Sequence, residues 1–371
     1  MASSREFCEK LLNKADVIIG GSRPWDMTVH NEGLFDSVLR TGTLGLGEAY
    51  MNGWWDSPSL DQFFYKVVSA DLGKNIERNL NTLFLYLNAR LMNRQSRTRS
   101  TKVIKEHYDL SNDLYMSFLD PYNQYTCGYF KDTESLNVAQ KQKLDLICRK
   151  LQLKHGDRVL DIGCGWGGFA KYAAKHYSAS VTGITLSKEQ LAYAKEFTKG
   201  LDVELRLQDY RDLNGKFDKI LICGMIEHVG YKNYREIMKV VHYNLANDGL
   251  FLLHTIGYDR SVKNGNSWLE GYIFPGGMLP SIAQIGTAIE GFFLVEDLHN
   301  FGAYYDPTLM AWFKNFNVAW PTLNAKYDER FYRMWKYYLL SCAGISRARE
   351  IQLWQIVLSK KGVLGGYASV R

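Results

Sequence analysis

From about residue 158 the chain alternates short apolar runs with longer stretches whose apolar residues recur at helical spacing. Arg158–Asp161, Ser180–Ile184, Val203–Leu207, Lys219–Cys223 and Leu250–His254 read as strands, with helices between them over Gly168–His176, Lys188–Thr198 and Asn233–Leu245. That alternation predicts an α/β fold, a parallel sheet with helices on both faces. After Ile256 the pattern changes. Two aromatic-rich helices, Asp306–Trp320 and Lys326–Arg349, flank late strands at Phe293–Asp297 and Gln352–Leu358, a tail able to close the sheet and roof an apolar pocket. Before the alternation begins, helix-like stretches at Phe35–Arg40, Leu46–Trp55, Leu60–Val68 and Asn75–Met92 predict a small, mainly helical domain over 1–92. A linker over 93–104 and a catalytic domain over 105–371 complete the division.

A chain of 371 residues is long enough for two domains, and 46% hydrophobic with 23% charged residues excludes bulk disorder. The longest apolar runs, such as Leu221–Val229, fall short of the roughly 20 residues of a membrane-spanning helix. Met1–Lys10 is charged throughout and lacks the apolar centre of a secretory signal, so a cytoplasmic protein is expected. Six cysteines (Cys8, Cys127, Cys148, Cys164, Cys223, Cys342) form no CxxC pair, which argues against a disulfide framework and a zinc site.

The formal net charge of +6 separates no class of partner. Its distribution says more. Arg90, Arg94, Arg97, Arg99, Lys102 and Lys105 occur with no acidic residue among them, so the segment is either a solvated connector or one drawn to anionic lipid. The Gly42–Glu48 segment follows no strand and has no lysine in the phosphate-cradling position, so it reads as a turn and a close helix approach. Trp54, Trp55, Phe63, Phe64 and Tyr65 are either interfacial aromatics or core.

Candidate chemistry begins at Val159-Leu160-Asp161-Ile162-Gly163-Cys164-Gly165-Trp166-Gly167-Gly168, a buried strand entering a glycine-rich turn and a helix. Glycines let the backbone approach a ligand, and the helix start favours negative charge. The run nominally satisfies the dinucleotide fingerprint GxGxxG, but the second strand ends Gly183-Ile184-Thr185-Leu186-Ser187 without the acidic residue that holds ribose hydroxyls in dehydrogenases.

DIGCGWGG resembles the first motif of class I S-adenosylmethionine-dependent methyltransferases. Together with HYDLSNDLY (107–115), QYTCGYF (124–130), GMIEHVG (224–230), LLHTIG (252–257), HNFGAYYDPTLMAW (299–312) and GTLGLGEAYMNGWW (42–55), it is similar to the cyclopropane-fatty-acid synthases over nearly the whole chain, with mycolic-acid methyltransferases as more distant relatives. The resemblance implies a Rossmann-like methyltransferase sheet and assigns roles by position. Tyr125 and Thr126 would contact S-adenosylmethionine, Gly163 and Gly165 its methionine part, and Thr185, Leu186 and Gln190 its ribose and adenine. Asp209, Tyr210 and Arg211 would enclose the adenine. Cys127, Glu227, His254 and Tyr305, with the backbone of Ile256, would hold a bicarbonate. Cys342 matches a family cysteine sometimes given an active-site role, although the chemistry requires no thiol nucleophile.

The implied reaction is methyl transfer from S-adenosylmethionine to the cis double bond of a phospholipid acyl chain, then proton loss to bound bicarbonate with ring closure. It needs a water-free pocket, since a carbocation in a wet site would be captured as an alcohol. Glu227 is expected to share a proton with the anion or with His254, because two ionised carboxylates side by side repel. Phe301, Tyr304, Phe313, Phe316, Trp320, Tyr337 and Tyr338 come from segments able to line an apolar tunnel. The implied partners are a bilayer surface on the inner face of the membrane, an unsaturated phospholipid and a second copy of the chain, with no nucleic acid. Methyl branching, hydroxylation, N-methylation of an amine and a lipid-binding protein on a vestigial fold are the rival readings.

Overall fold

The computed structural model describes residues 3–72, 111–262 and 265–371. The expected helix at 75–92, the linker at 93–104 and the basic run from Arg90 to Lys105 lie outside them.

Seven strands form one sheet: β1 Arg158–Ile162, β2 Ser180–Thr185, β3 Val203–Leu207, β4 Phe217–Cys223, β5 Leu245–Tyr258, β6 Leu294–Asn300 and β7 Ile351–Ser359. Their order across the sheet is β3-β2-β1-β4-β5-β7-β6. The first five run parallel, and β7 inserts antiparallel between β5 and β6. Every strand expected from the sequence is present, β5 being longer at both ends than the Leu250–His254 run.

Parallel strands covered on both faces read as continuous apolar runs. In β1 and β4, Leu160, Ile162, Ile220 and Ile222 face one core with Ile237, Met238 and Val241 of a helix at Tyr234–Asn244. Val159, Val181, Leu221 and Leu252 face the other, with Leu144 and Ile147 of helix α1 (Leu136–Lys150) and Phe169, Ala170 and Ala173 of helix α2 (Gly168–Tyr177). Each fully buried Leu or Ile contributes about 1.5–3 kcal/mol. Helix α3 (Lys188–Phe197) starts where the Ser187 hydroxyl accepts from Gln190 N at 3.2 Å, an N-cap.

By packing, the chain divides into two units. The second holds the sheet, from 112–263, 278–308 and 351–371; the first gathers the described residues of 1–111, 264–277 and 309–350. A division by sequence order put everything after 105 in one domain. Packing instead assigns the helices Ser267–Tyr272 and Glu329–Arg347, with most of Tyr305–Leu323, to the first unit. The physical reason is aromatic burial. Tyr337 lies 5.4 Å from Tyr50, 5.2 Å from Phe64 and 4.5 Å from Trp268.

Two readings of the first unit are sharpened. The helix expected over Leu46–Trp55 runs over Thr43–Met51, and Trp55–Asp56 pairs with Thr28–Val29 as a short two-stranded ladder. Within it a Cβ on Gly45 would meet Ser37 O at 2.3 Å, and one on Gly47 would meet Trp268 Cδ1 at 2.3 Å, the close approach expected of the glycine segment. Of the aromatics left open between interface and core, Trp55, Phe63 and Phe64 are core residues, whereas Tyr65 stands exposed.

Candidate active site

The chemistry-bearing residues of the second unit collect at the carboxyl ends of the central parallel strands, around β1, where strand order reverses. That is where α/β sheets hold ligands. The glycine turn leaves β1 with Gly163 at φ 84° and Gly165 at φ 53°, left-handed conformations that side chains disfavour. The N–H groups of Gly163 and Cys164 both donate to Ile184 O at 3.0 Å, fastening the turn to β2. A Cβ on Gly165 would find nothing within 4 Å, so the turn faces open space.

The other expected cofactor residues surround that space from separate elements. Thr185 ends β2 and its hydroxyl donates to Gln190 Oε1 at 3.2 Å, while Leu186 stands 70% exposed beside it. Asp209 caps the turn Tyr210–Asp212, accepting Arg211 N at 2.9 Å and Arg211 Nη1 at 3.0 Å. The Arg211 guanidinium lies over the Tyr210 ring at 4.8 Å. Tyr210 itself is a core residue packed in the same cluster as Ile162 and Ile184, so its ring is mostly committed to the protein interior. The open space they border fits an adenosyl cofactor, with the exposed Leu186 and Arg211 available to its flat faces and the glycine turn to its polar end.

The loop carrying Tyr125, Thr126 and Cys127 is held from beneath. Asp120 accepts Tyr122 N and Gln124 N at 2.8 Å each, which closes the turn. Tyr125 sits half-buried, its ring 5.2 Å from Tyr115. Under the loop lies Lys143 of α1, a residue the sequence reading passed over. Fully buried, it donates to Gln124 Oε1 at 2.8 Å and to Thr126 Oγ1 at 2.5 Å, and Gln140 donates to Thr126 O at 2.8 Å. Burial lowers the Lys143 pKa, opposed chiefly by Cys223, Asp120, Cys127 and Asp161; burial raises Asp161, opposed by Lys143. The signal was there: Lys143 falls at helical spacing among Leu136, Ala139, Ile147 and Lys150, all buried. A lysine on the apolar face of a helix marks a buried partner.

A second, drier group lies at the ends of β4 and β5. Cys223 and His254 are paired in register, and Gly224 N donates to His254 O at 2.9 Å. Glu227 follows on a single helical turn, Ile226–His228, and accepts from Ile256 N at 2.8 Å through Oε1. The Ile256 N–H is therefore engaged by Glu227. Cys127, Phe301 and Leu353 form one buried cluster against which Ile256, Tyr304 and Tyr305 pack, and the His254 ring lies 5.9 Å from that of Phe301. Tyr305 is the first residue of its helix and half-buried. All five expected anion-site residues thus belong to one neighbourhood.

Burial is the dominant electrostatic fact there. It raises Glu227 above the ordinary carboxyl range, against the N–H of Ile256 and the Thr255 hydroxyl, and drives His254 well below the usual imidazole range, so both favour their neutral forms. Cys127, fully buried, is held as a thiol. Glu227 Oε2 and His254 Nε2 are both buried without a hydrogen-bond partner. Buried polar atoms are seldom orphaned, and two from the ends of neighbouring strands leave hydrogen bonds for a small polar ligand to fill.

Cys342 belongs to the first unit, half-buried on the helix Glu329–Arg347, and burial pushes its thiol up to about 12. Of the expected tunnel residues, Phe301 and Tyr304 lie beside Cys127 in the second unit, whereas Phe316, Tyr337 and Tyr338 are buried in the first. All six cysteines are free, and no cluster of metal-binding side chains occurs among the described residues.

A parallel sheet reversing at β1, a glycine turn opening onto space and an antiparallel final pair of strands define a class I S-adenosylmethionine-dependent methyltransferase. The cyclopropane synthase MmaA2 from Mycobacterium tuberculosis superposes with a TM-score of 0.65 at 30% identity, covering 70% of this chain and 98% of that one. The mycolic acid cyclopropane synthase CmaA1, solved with SAH and CTAB, gives 0.63 at 31% identity, covering 70% and 98%. The chain belongs to the mycolic acid cyclopropane synthetase family, which it matches over residues 95–356. It is also 52% identical over 362 residues to the cyclopropane-fatty-acyl-phospholipid synthase of Escherichia coli strain K12, covering 98% of this chain and 94% of that protein.

Proposed function

We propose that this enzyme cyclopropanates the cis double bond of an unsaturated phospholipid acyl chain, with a bicarbonate held by Cys127, Glu227, His254 and Tyr305, the Ile256 backbone serving through the hydrogen bond by which its N–H fixes Glu227. The observation that carries the anion is the pair of orphaned atoms, Glu227 Oε2 and His254 Nε2, on two buried side chains of that neighbourhood. When bound, S-adenosylmethionine supplies the methyl group and bicarbonate the base whose proton uptake accompanies ring closure.

The chain's own residues then have definable tasks. Gly163 and Gly165 let the backbone come close to the methionine part of the cofactor, and Tyr125, Thr126, Thr185, Leu186, Gln190, Asp209, Tyr210 and Arg211 position the rest. A neutral Glu227 donates from Oε2 instead of repelling an anion, and a neutral His254 adds a second hydrogen bond without a charge to be solvated. Phe301 and Tyr304 keep water from the acyl chain, which protects a cationic carbon from capture. Cys342 takes no part in bond making, since a thiol held that high carries no nucleophilic thiolate.

The substrate dictates the remainder of the reading. A double bond lies deep in a bilayer, so the enzyme docks on the inner membrane surface and draws the chain out; the helical N-terminal part and the basic run Arg90–Lys105 are the docking elements, used by a homodimer. No helix among the described residues is long and apolar enough to cross a membrane.

The test is mass spectrometry of unsaturated phospholipid vesicles incubated with the protein and methyl-labelled S-adenosylmethionine. Addition of one CH2 to the acyl chain, with turnover that falls in bicarbonate-depleted buffer, is expected. Addition of CH4 or of CH2 plus water would replace cyclopropanation by branching or hydroxylation, and turnover indifferent to bicarbonate would remove the anion from the scheme.

A further inference from the structure

We infer that Gln355 is a positioning residue for this reaction: its side-chain amide fixes the tautomer of His254, so that the imidazole presents Nε2–H to the anion pocket as a donor. The inference rests on the reading of that pocket given above and adds the device that gives His254 its polarity.

Gln355 lies in the middle of β7, fully buried, in register with His254 on β5 on one side and with His299 on β6 on the other. Its Nε2 is 3.2 Å from His254 Nδ1. An amide nitrogen only donates, so Nδ1 must be the unprotonated acceptor. A neutral imidazole has one N–H, which then sits on Nε2, the buried atom without a partner. Burial keeps the ring neutral, which makes the tautomer the one remaining choice.

The opposite amide orientation would make Nδ1–H the donor and Nε2 an acceptor. It would also swing the NH2 group to where Gln355 Oε1 now lies, buried and without a partner. With an anion accepting from Nε2–H, the donating orientation leaves one amide N–H unpaired, whereas the opposite one leaves both amide N–H groups unpaired and turns the Nε2 lone pair toward the anion, so the donating orientation wins.

The choice of side chain follows from the same argument. Histidines in catalytic and metal sites are commonly oriented by a carboxylate, which accepts from Nδ1–H and stabilises the imidazolium. A carboxylate here would turn Nε2 into an acceptor facing an anion. Glutamine is long enough to reach across the ladder, carries no charge and can donate, so it holds the opposite tautomer.

The experiment uses the full chain with 15N-labelled histidine. The His254 signals of the unsubstituted protein, read without cofactor or bicarbonate, should show protonated Nε2 and unprotonated Nδ1; a protonated Nδ1 would overturn the inference whatever the variants do. Gln355→Met, close in size but unable to donate, should lower kcat by about 10- to 100-fold and raise the KM for bicarbonate, with the KM for S-adenosylmethionine changed by less than about twofold. Gln355→Glu should move the proton to Nδ1. A folded Gln355→Met protein with the original kcat and bicarbonate KM would also overturn it. Indifference of the unsubstituted enzyme to bicarbonate would sink the anion reading, and the tautomer measurement would still decide the role of Gln355.

Discussion

The cofactor end and the proposed anion pocket occupy the same edge of the same sheet, built by opposite means. At the proposed cofactor end the working parts are open turns: Gly163 and Gly165 at positive φ, Leu186 standing in solvent, and a half-buried Asp209 capping a turn. At the anion pocket they are side chains withdrawn from water, Glu227, His254 and Cys127, whose protonation burial has shifted toward neutral forms. One site relies chiefly on backbone shape, with Lys143 as its buried support. The other relies on neutral protonation states that exist only because the surroundings are dry, and so should fail through pH, proton position and small polar substitutions, whereas the first should fail chiefly through sterics.

The sharpest test of that contrast is Glu227→Ala. We expect turnover in a lipid assay to fall by about 10²- to 10⁴-fold, the range for loss of a positioned proton-transfer group, with the Kd for S-adenosylmethionine nearly unchanged by titration calorimetry. Unchanged turnover would refute the pocket.

Lys143→Met should strike the cofactor side instead. It removes charged hydrogen bonds to Gln124 and Thr126, each worth about 1.5–3 kcal/mol, so cofactor affinity should weaken by roughly 10- to 100-fold and the Tm should drop. An unaltered Kd with a lowered Tm would make Lys143 purely structural.

Gly165→Ala isolates backbone strain. A methyl at φ 53° costs on the order of 1 kcal/mol or more, so cofactor binding should weaken by roughly five- to tenfold while the methylated product stays the same. A shift in product would show that the two sites are not separable.

His254 makes the dielectric argument measurable in stability. Its folded pKa is depressed, so below the ordinary value of 6.5 the unfolded chain binds a proton that the native state refuses. Stability should therefore be level above about pH 6.5 and decline by up to about 1.4 kcal/mol per pH unit below it. Glu227, whose folded pKa is raised, works in the other direction: its contribution is complete below 4.5 and fades as pH rises through the folded value. Urea titrations of the unsubstituted protein and His254→Gln between about pH 5 and 7 should differ in slope by that one proton; equal slopes would mean that His254 titrates normally.

The smallest effect is expected at Cys342, where Ala should leave kcat within about twofold, the thiol being un-ionised. A large loss would reinstate it.

Much of this was legible along the chain. Alternating apolar runs located all seven strands, and the glycine turn announced itself by residue type. The helix Leu136–Lys150 was missed although Leu136, Ala139, Lys143 and Ile147 keep its period, because a lysine inside an apolar stripe reads as an interruption until its partners are known. The helix Ser4–Lys14 was missed too, despite a capping box formed by Ser3 and Glu6.

Local sequence determined which segments become strand, turn or helix, since those preferences act over a few residues. It also determined which motif residues could serve an S-adenosylmethionine enzyme of this family. Tertiary structure decided that β7 inserts between β5 and β6, that the late aromatic helices leave the sheet's unit for the first, and that Lys143 lies beneath Thr126. It also decided that Gln355 faces a histidine 101 residues away. The physical reason is that a buried polar atom takes its partner, its protonation and hence its chemistry from strand register and desolvation, neither of which exists before the sheet closes.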